Sequence, residues 1–282
     1  PQYASPTPTT PPTAVLADAT PAPNPNAPPA STSTLASAET PGLVRSGTYP
    51  SQVMGREMPY RIYLPVGYDS DERAYPVLYL LHGYPFDESH WDRLGVAVLA
   101  DVGIRSGDYP PFIIVMPNGD PSPEGLYVNT SGGDRSVEGL VVNELIPHID
   151  QTYRTQAQRE GRAIGGISRG GVWSLEIGFR RPDLFAIVGG HSAALSLNYP
   201  HPAYDPFNLL ADPAVASLRI WLDAGDQDWA WAGTERLHRA LEAQGIEHEF
   251  VTGEGSHIDD YWSRMLHPYL VFYTADWWTG GE

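Results

Sequence analysis

The residues Gly165-Gly166-Ile167-Ser168-Arg169-Gly170-Gly171 contain a G-x-S-x-G motif, the pattern of a nucleophile elbow. The short stretch 162–164 before the motif is typical of a strand, and residues 172–177 after it are typical of a helix. In such a strand–turn–helix unit the serine backbone is strained and its neighbours must be small, which the glycines allow. The motif therefore predicts that Ser168 projects its hydroxyl group above the end of a sheet.

Apolar runs and amphipathic segments alternate on both sides of this motif. Strands of a parallel sheet that is covered on both faces read as unbroken apolar runs. We predict such strands at 76–81, 112–116, 186–190, 218–222 and 249–252, and helices at 91–105, 137–153, 171–180, 234–244 and 259–277. Two earlier strands, 43–49 and 57–65, are expected as an antiparallel pair at the edge. The pattern predicts an α/β fold with a mostly parallel, doubly wound sheet flanked by helices.

Residues 1–41 have a different composition from the rest of the chain. They hold eleven of the 28 prolines and only two charged side chains. Such a segment buries too little apolar surface to offset its ordering entropy, so we predict a disordered tail or linker before a catalytic domain at 42–282. The chain starts at Pro1 without a basic, apolar leader, so a signal segment is expected to be absent or already removed. We expect a protein that is secreted or tethered to a cell surface through this tail.

Composition excludes several kinds of chemistry. The 282 residues include no cysteine, and all 17 basic residues are arginine. Thiolate nucleophiles, zinc–thiolate sites and Schiff-base lysines are therefore excluded, and no cofactor or metal is expected. The net charge of −17 disfavours nucleic acid and anionic membranes as partners. No apolar run approaches the roughly 18 residues of a membrane span.

A serine nucleophile needs a carboxylate and a histidine, which follow it in this chain order in the predicted fold. The loop after strand 218–222 holds Asp223, Asp226 and Asp228. The spacing Gly225-x-x-Asp228 favours Asp228 as the acid, with Asp226 and Asp223 as alternatives. A calcium loop is a competing interpretation of these aspartates, but their spacing departs from the EF-hand pattern.

The base and the oxyanion donors are predicted from loops that follow strands. His257 lies in a glycine-containing loop after the last strand, 29 residues beyond Asp228, which leaves room for one helix and one strand. The oxyanion hole needs two backbone N–H groups. We assign them to Arg169, directly after the nucleophile, and to Tyr84, in the loop that Gly83 begins after strand 76–81.

Tryptophans cluster near the predicted acid and base. Trp229 and Trp231 directly follow Asp228, and Trp262 closely follows His257. Some of these rings must belong to the core, because tryptophan packs well where helices meet sheets. We expect at least one of them to line a cleft for an aromatic acyl group or a sugar ring.

As a set, these motifs make the chain resemble the esterase-D-like esterase family of α/β-hydrolases. That family includes S-formylglutathione hydrolase, feruloyl and acetyl xylan esterases, enterochelin esterase and the mycolyltransferases. The resemblance covers about residues 44–278, and the segments that carry it are 60–65, 77–83, 115–119, 143–149, 163–171, 182–185, 191–194 and 255–257. The chain departs from the S-formylglutathione hydrolase branch of this family in having no cysteine. Its long tail resembles the exported branches of the family instead.

The resemblance implies a serine carboxylesterase with the triad Ser168, Asp228 and His257 and a covalent acyl-enzyme. The expected substrate is a small or polysaccharide-linked ester with an aromatic or short acyl group, such as a feruloyl or acetyl ester. An acyltransferase that uses the same triad is the main alternative. A peptidase and a non-catalytic binding module are weaker alternatives.

Overall fold

The computed structural model describes residues 42–119, 132–197 and 199–278, and eight strands among them form one sheet. The strands are β1 Leu43–Ser51, β2 Arg56–Leu64, β3 Val77–Leu81, β4 Ile113–Pro117, β5 Arg162–Ile167, β6 Ile187–His191, β7 Arg219–Gly225 and β8 Glu249–Gly253. Their order in the sheet is β1-β2-β4-β3-β5-β6-β7-β8. β1 and β2 form an antiparallel pair at one edge, β2 is antiparallel to β4, and β3 to β8 are parallel. The predicted α/β-hydrolase fold with a mostly parallel sheet is confirmed.

Helices connect the parallel strands. They are α1 His90–Leu94, α2 Val96–Ser106, α3 Val137–Gly139, α4 Ile146–Thr152, α5 Arg169–Arg180, α6 Pro206–Leu209, α7 Trp231–Gln244 and α8 Asp259–Thr274. A π-helical segment, Leu140–Leu145, joins α3 to α4. Short 3₁₀ turns lie at Tyr68–Ser70, Arg159–Gly161, Leu195–Leu197, Pro202–Tyr204, Pro213–Ser217 and Ala275–Trp277.

The observed helices differ from the predicted ones in their bounds: the helix expected over 234–244 begins at Trp231, and the one expected over 259–277 ends at Thr274. The other three differ at identifiable residues. The helix expected over 91–105 is divided into α1 and α2 at Gly95, whose φ of 99° is left-handed and ends the first helix. The helix expected over 137–153 contains the π-helical segment. α5 begins at Arg169 rather than at Gly171, because the turn at Ser168 leads directly into the helix.

The sheet topology brings two loops to one place. β3 lies between β4 and β5, so the chain leaves β3 on one side for β4 and later returns on its other side as β5. At such a switch of strand order, the loops at the carboxyl ends of the strands diverge and form a crevice. Leu81 at the end of β3 pairs with Gly166 near the end of β5. The loop after β3 and the elbow at Ser168 are therefore neighbours.

The strands carry apolar side chains on both faces. In β3, Val77, Tyr79 and Leu81 belong to the hydrophobic cluster on one side of the sheet, and Leu78 and Leu80 belong to the cluster on the other. All five residues are buried, as expected for a strand covered by helices on both faces. This packing makes the central strands a rigid base for the loops at their ends.

The predicted tail, residues 1–41, lies outside the described residues, so its disorder and its role as a linker stay predictions. Within residues 42–119, 132–197 and 199–278, no helix has both the length and the apolar character that a membrane crossing requires.

Candidate active site

Ser168 lies in the turn between β5 and α5. Its backbone has φ 58° and ψ −113°, a conformation that residues other than glycine rarely adopt. The flanking glycines are required by contact as well as by conformation. A Cβ on Gly166 would overlap the carbonyl group of Gly170, and a Cβ on Gly170 would overlap the carbonyl oxygen of Leu81. These contacts require glycine at both positions, and the turn places the side chain of Ser168 at the carboxyl edge of the sheet.

Hydrogen bonds from the end of β6 support this strained turn. The backbone N–H of Ser168 donates to the carbonyl oxygen of His191 at 2.9 Å, and the N–H of Ala194 donates to the carbonyl oxygen of Ser168 at 3.0 Å. Both backbone polar groups of the serine are thus held by one neighbouring segment. Such surrounding contacts are what allow an unfavourable backbone conformation to persist.

The structure brings Ser168, His257 and Asp228 together in a line of hydrogen bonds. His257 Nε2 lies 2.8 Å from Ser168 Oγ, and His257 Nδ1 lies 2.8 Å from Asp228 Oδ1. Asp228 is buried, and its Oδ1 also accepts from the N–H of Ala230 at 2.7 Å. Asp228 Oδ2 is buried without a hydrogen-bond partner among the described residues. Among the described residues, His257 is therefore the side chain that hydrogen-bonds this carboxylate.

The two alternative aspartates lie elsewhere. Asp226 is exposed, and its Oδ1 accepts from the backbone N–H of Gly255 at 3.0 Å, so it stabilises the loop that carries His257. Asp223 is fully buried beneath the site and contacts a different histidine, His191. Neither carboxylate contacts the imidazole of His257 in the described structure.

Asp223 is the centre of a buried polar cluster that sequence analysis missed. Its carboxylate accepts from His191 Nδ1 at 2.7 Å, from Trp221 Nε1 at 2.9 Å and from the hydroxyl groups of Tyr261 and Tyr269 at 3.0 and 2.7 Å. A buried carboxylate is tolerated when several donors satisfy it in this way. The cluster links the ends of β6 and β7 to α8, and β6 in turn holds the backbone of Ser168.

The other ring nitrogen of His191 is occupied by Tyr273. His191 Nε2 lies 2.8 Å from the Tyr273 hydroxyl, and burial raises the pKa of Tyr273 well above its usual range, so the phenol keeps its proton and donates. A Cβ on Gly165 or on Gly189 would overlap this hydroxyl. The second buried histidine–aspartate pair is therefore closed to substrate, and the glycines of β5 and β6 make room for it.

The loop after β3 lies against Ser168. A Cβ on Gly83 would lie 3.2 Å from the Cβ of Ser168, so this backbone approaches the serine closely. Burial lowers the pKa of the neighbouring His82 to about 4, which keeps its imidazole neutral. His82 Nε2 accepts from the N–H of Gly119 at 2.9 Å, and His82 Nδ1 donates to the carbonyl oxygen of Gly83 at 2.9 Å.

The two predicted oxyanion residues, Tyr84 and Arg169, lie close to each other. The N–H of Phe86 also donates to the carbonyl oxygen of Gly83, at 2.9 Å, so the peptide group that joins Gly83 to Tyr84 is held from its carbonyl side. Arg169 is the first residue of α5, and its guanidinium lies over the ring of Tyr84, 5.5 Å from the ring centroid.

A cavity of about 470 Å³ opens beside Ser168 and His257. It is lined by Gly83, Tyr84, Pro85, Phe86, Ser168, His257, Ile258, Asp259 and Trp262. The buried ring of Trp262 packs edge-on against the His257 imidazole, with centroids 5.0 Å apart, and its Nε1 donates to Ser192 Oγ at 3.0 Å. Of the three tryptophans predicted to contact substrate, Trp262 is the one that lines this cavity.

The other two predicted tryptophans, Trp229 and Trp231, follow Asp228 in the chain. Trp229 is 47% exposed, and its ring lies against the imidazole of His257 with centroids 4.3 Å apart. Trp231 begins α7 and is partly exposed, and it is not among the residues that line the cavity described above. Trp229 therefore offers an accessible aromatic face beside the base, whereas Trp231 has no such contact with His257.

Glu176 is a second buried carboxyl group on α5. Both of its oxygens lack hydrogen-bond partners among the described residues. Burial, together with the nearby Glu138 carboxylate, raises its pKa to about 9, and Arg180 opposes this shift. Glu176 is therefore protonated at neutral pH.

No cluster of three or more His, Asp and Glu side chains in the described part of the chain could hold a metal ion.

The chain belongs to the family described as "Putative esterase", whose sequence profile matches residues 51–273. An endo-1,4-beta-xylanase/feruloyl esterase of Xylanibacter ruminicola is 31% identical, over 80% of this chain and 30% of that protein. An esterase of Mycobacterium tuberculosis is 29% identical, over 70% of this chain and 52% of that protein. The chain thus spans about a third to a half of the length of these relatives.

Solved structures of esterases share the fold of this chain. A ferulic acid esterase superposes with a TM-score of 0.75 and 25% identity, over 84% of this chain and 100% of that one. An S-formylglutathione hydrolase of Staphylococcus aureus, 19% identical, has the same fold with a TM-score of 0.69, over 83% of this chain and 100% of that one. The predicted family is confirmed, and these relatives agree with the predicted enzyme class, a carboxylic-ester hydrolase.

Proposed function

We propose that the chain is a serine carboxylesterase in which Ser168 is the nucleophile, His257 the general base and Asp228 the acid that orients the base. The observation that carries this proposal is the contact of 2.8 Å between His257 Nε2 and Ser168 Oγ, with Asp228 at 2.8 Å on the other ring nitrogen. The proposal assigns one role to each of these groups, and its steps follow from their hydrogen-bonding capacity.

In the resting enzyme, His257 Nδ1 donates its proton to Asp228 Oδ1, so Nε2 keeps a lone pair and accepts from the Ser168 hydroxyl. Ser168 Oγ attacks the ester carbonyl carbon while Nε2 takes the hydroxyl proton. The carbonyl oxygen becomes an oxyanion, which we assign to the backbone N–H groups of Tyr84 and Arg169. Asp228 stabilises the imidazolium that exists only while the tetrahedral intermediate is present.

Collapse of the intermediate breaks the bond to the leaving alcohol. His257 Nε2 returns its proton to the alcohol oxygen, and the acyl group stays on Ser168 Oγ as an ester. A water molecule then gives a proton to His257 and attacks the acyl carbonyl. His257 returns this proton to Ser168 Oγ as the bond to the acyl group breaks, which releases the carboxylic acid and restores both residues. An alcohol that replaces this water would give acyl transfer, so adding alcohols and measuring the products separates an esterase from an acyltransferase.

The proposed substrates are esters with an aromatic or short acyl group, such as feruloyl or acetyl esters, either small or linked to a polysaccharide. Support comes from relatives named feruloyl esterase and acetyl esterase. It also comes from the aromatic walls of the cavity, with Trp262 inside it and Trp229 beside the base. We further propose that the enzyme is exported, with residues 1–41 as its linker. Removing that segment should leave hydrolysis of a small ester unchanged.

The test is replacement of the nucleophile. Ser168→Ala should lower turnover of p-nitrophenyl acetate by at least about 10⁴-fold, since the covalent step is lost. The melting temperature should not fall, because the substitution removes only the hydroxyl oxygen. Ser217→Ala, at an exposed site on a 3₁₀ turn, is the matched control and should keep full activity. Near-normal turnover in the Ser168 variant would end the proposal.

A further inference from the structure

The cavity beside Ser168 has an apolar wall with one carboxylate in it. Tyr84, Phe86, Ile258 and Trp262 line it, and Asp259 is the only acidic side chain among its described lining residues. Asp259 is the first residue of α8. An ionised group in an apolar wall is costly to desolvate unless something bonds to it, so its partners decide what it can do.

The structure orients Asp259 through a buried histidine. Asp259 Oδ1 lies 3.1 Å from Nε2 of His90, whose side chain is fully buried. The His90 ring stacks on Phe86 with centroids 3.9 Å apart and meets the Trp262 ring edge-on at 5.9 Å. Phe86 and Trp262 both line the cavity. The carboxylate is therefore held in place by the aromatic groups that shape the cavity.

The bond from His90 leaves the charge of Asp259 uncompensated. Burial lowers the pKa of His90, so its ring is neutral and carries a single N–H. His90 Nδ1 has no hydrogen-bond partner among the described residues, so the N–H belongs on Nε2, where it donates to Asp259. A neutral donor orients the carboxylate without neutralising it.

One oxygen of Asp259 stays available to a ligand. Its side chain is 48% exposed, and only Oδ1 has a protein partner in the described structure. The neighbouring Asp260 differs on both points, because it is 71% exposed and lies 3.4 Å from Arg264. Both acids lie in the first turn of α8 and are equally suited to stabilise its amino end. Stabilisation of the helix therefore does not explain why Asp259 lies in the cavity.

We propose that Asp259 selects esters that carry a hydroxyl group within its reach, by accepting a hydrogen bond from that group, and that it disfavours anionic substituents. The proposal rests on the proposed function, because it concerns the substrate that reacts with Ser168. The hydroxyl can belong to the acyl group, as in a phenol, or to the alcohol, as in a polyol or sugar. Both present the same donor to the carboxylate.

The experiment compares kcat/KM for two pairs of esters. The first pair, methyl 4-hydroxycinnamate and methyl cinnamate, differs by one hydroxyl on the acyl group. The second pair, 2,3-dihydroxypropyl cinnamate and propyl cinnamate, differs by hydroxyls on the alcohol. Each ratio is measured for the wild type, Asp259→Ala, Asp259→Asn and the matched control Asp260→Ala.

We expect the wild type to prefer the hydroxylated ester in at least one pair. Asp259→Ala should lower that preference about tenfold, the loss expected for one hydrogen bond to a charged group. Asp259→Asn keeps an amide oxygen and should lose less, and Asp260→Ala should leave both ratios unchanged. The pair that responds identifies the side of the ester that Asp259 reads.

Two outcomes would overturn the proposal. Unchanged ratios in Asp259→Ala would show that the carboxylate does not read a hydroxyl group. An equal loss of kcat/KM for all four esters would show that Asp259 only maintains the site. In either case activity that still depends on Ser168 would leave the proposed esterase function intact, so the two failures are distinguishable.

Discussion

Asp228→Asn is the substitution whose effect follows most directly from the site geometry. Asparagine keeps the size of the side chain and an oxygen that can accept from the N–H of Ala230, now 2.7 Å away. It removes the negative charge, and its amide can offer an N–H to His257 Nδ1 in place of an acceptor. The imidazole would then carry its proton on Nε2, where it cannot accept the proton of Ser168.

The loss of the carboxylate charge alone sets the size of the expected decrease in kcat/KM. Asp228 Oδ1 lies 2.8 Å from His257 Nδ1, so the centres of the carboxylate and the imidazolium are about 4 Å apart. At an effective dielectric constant of about 20, two unit charges at that separation attract by about 4 kcal/mol. The imidazolium exists only during reaction, so this attraction lowers the barrier rather than the ground state. Because about 1.4 kcal/mol corresponds to tenfold in rate, kcat/KM should fall about 10³-fold.

The assay is steady-state hydrolysis of p-nitrophenyl acetate, with thermal melting to show that each variant is folded. The matched control is Asp226→Asn, which alters the exposed carboxylate in the same loop. Asp226 accepts only from the backbone of Gly255, so this variant should lose a few-fold at most. A loss below about tenfold in Asp228→Asn would refute the reasoning, as would an equally large loss in Asp226→Asn.

Three further predictions use other parts of the molecule. Gly166→Ala should destabilise the fold by about 1–3 kcal/mol or more and lower activity, because its Cβ would overlap the neighbouring turn. Gly253→Ala, whose Cβ would make an ordinary contact at 3.4 Å, should leave both the melting temperature and the reaction rate unchanged. Glu176→Gln should raise the melting temperature increasingly from pH 5 to pH 9. The pKa of about 9 keeps the native glutamate protonated, whereas the glutamate of the unfolded chain ionises above about pH 4.5, so raising the pH from 5 to 9 increasingly favours the unfolded wild-type chain. An increase that is the same at every pH would contradict this. Trp229→Ala should raise KM for phenyl esters several-fold more than for ethyl esters, whereas Trp231→Ala should change both little, and equal effects of the two variants would contradict the assignment.

The sequence was sufficient to predict the central strands and the strand–turn–helix unit around Ser168, because both depend on local patterns. Unbroken apolar runs such as residues 112–116 indicate strands that are covered on both faces, and they are observed as such. The glycines around Ser168 indicate a turn in which side chains have no room. The start of α5 was placed two residues late, since no propensity rule recognises that the strained residue leads directly into the helix.

The sequence favoured Asp228 but left Asp226 and Asp223 as alternatives, because the distinction depends on contacts between distant loops. The backbone N–H groups of Asp226 and Gln227 donate to the carbonyl oxygens of Gly253 and Gly255. These bonds bring the loop that carries His257 against the acid loop, with Asp228 facing the imidazole and Asp226 facing solvent. The roles of the triad residues stay predictions until they are measured.

The buried cluster around Asp223 was missed, although the sequence contains a signal for it. His191 ends β6 and Asp223 lies two residues before the end of the neighbouring β7, and the two residues are paired in the register of these strands. A histidine and an aspartate at adjacent strand ends indicate a polar contact. The role of Tyr273 could not be foreseen, because its partner glycines lie in strands far from it in the sequence.

The proposed mechanism requires that Ser168 is the residue that becomes acylated. The most direct measurement is reaction of the protein with a fluorophosphonate, followed by mass spectrometry of its peptides. The account predicts one equivalent of label on the peptide that contains Ser168, with esterase activity lost in proportion to labelling. Label on a different residue, or full labelling without loss of activity, would contradict it.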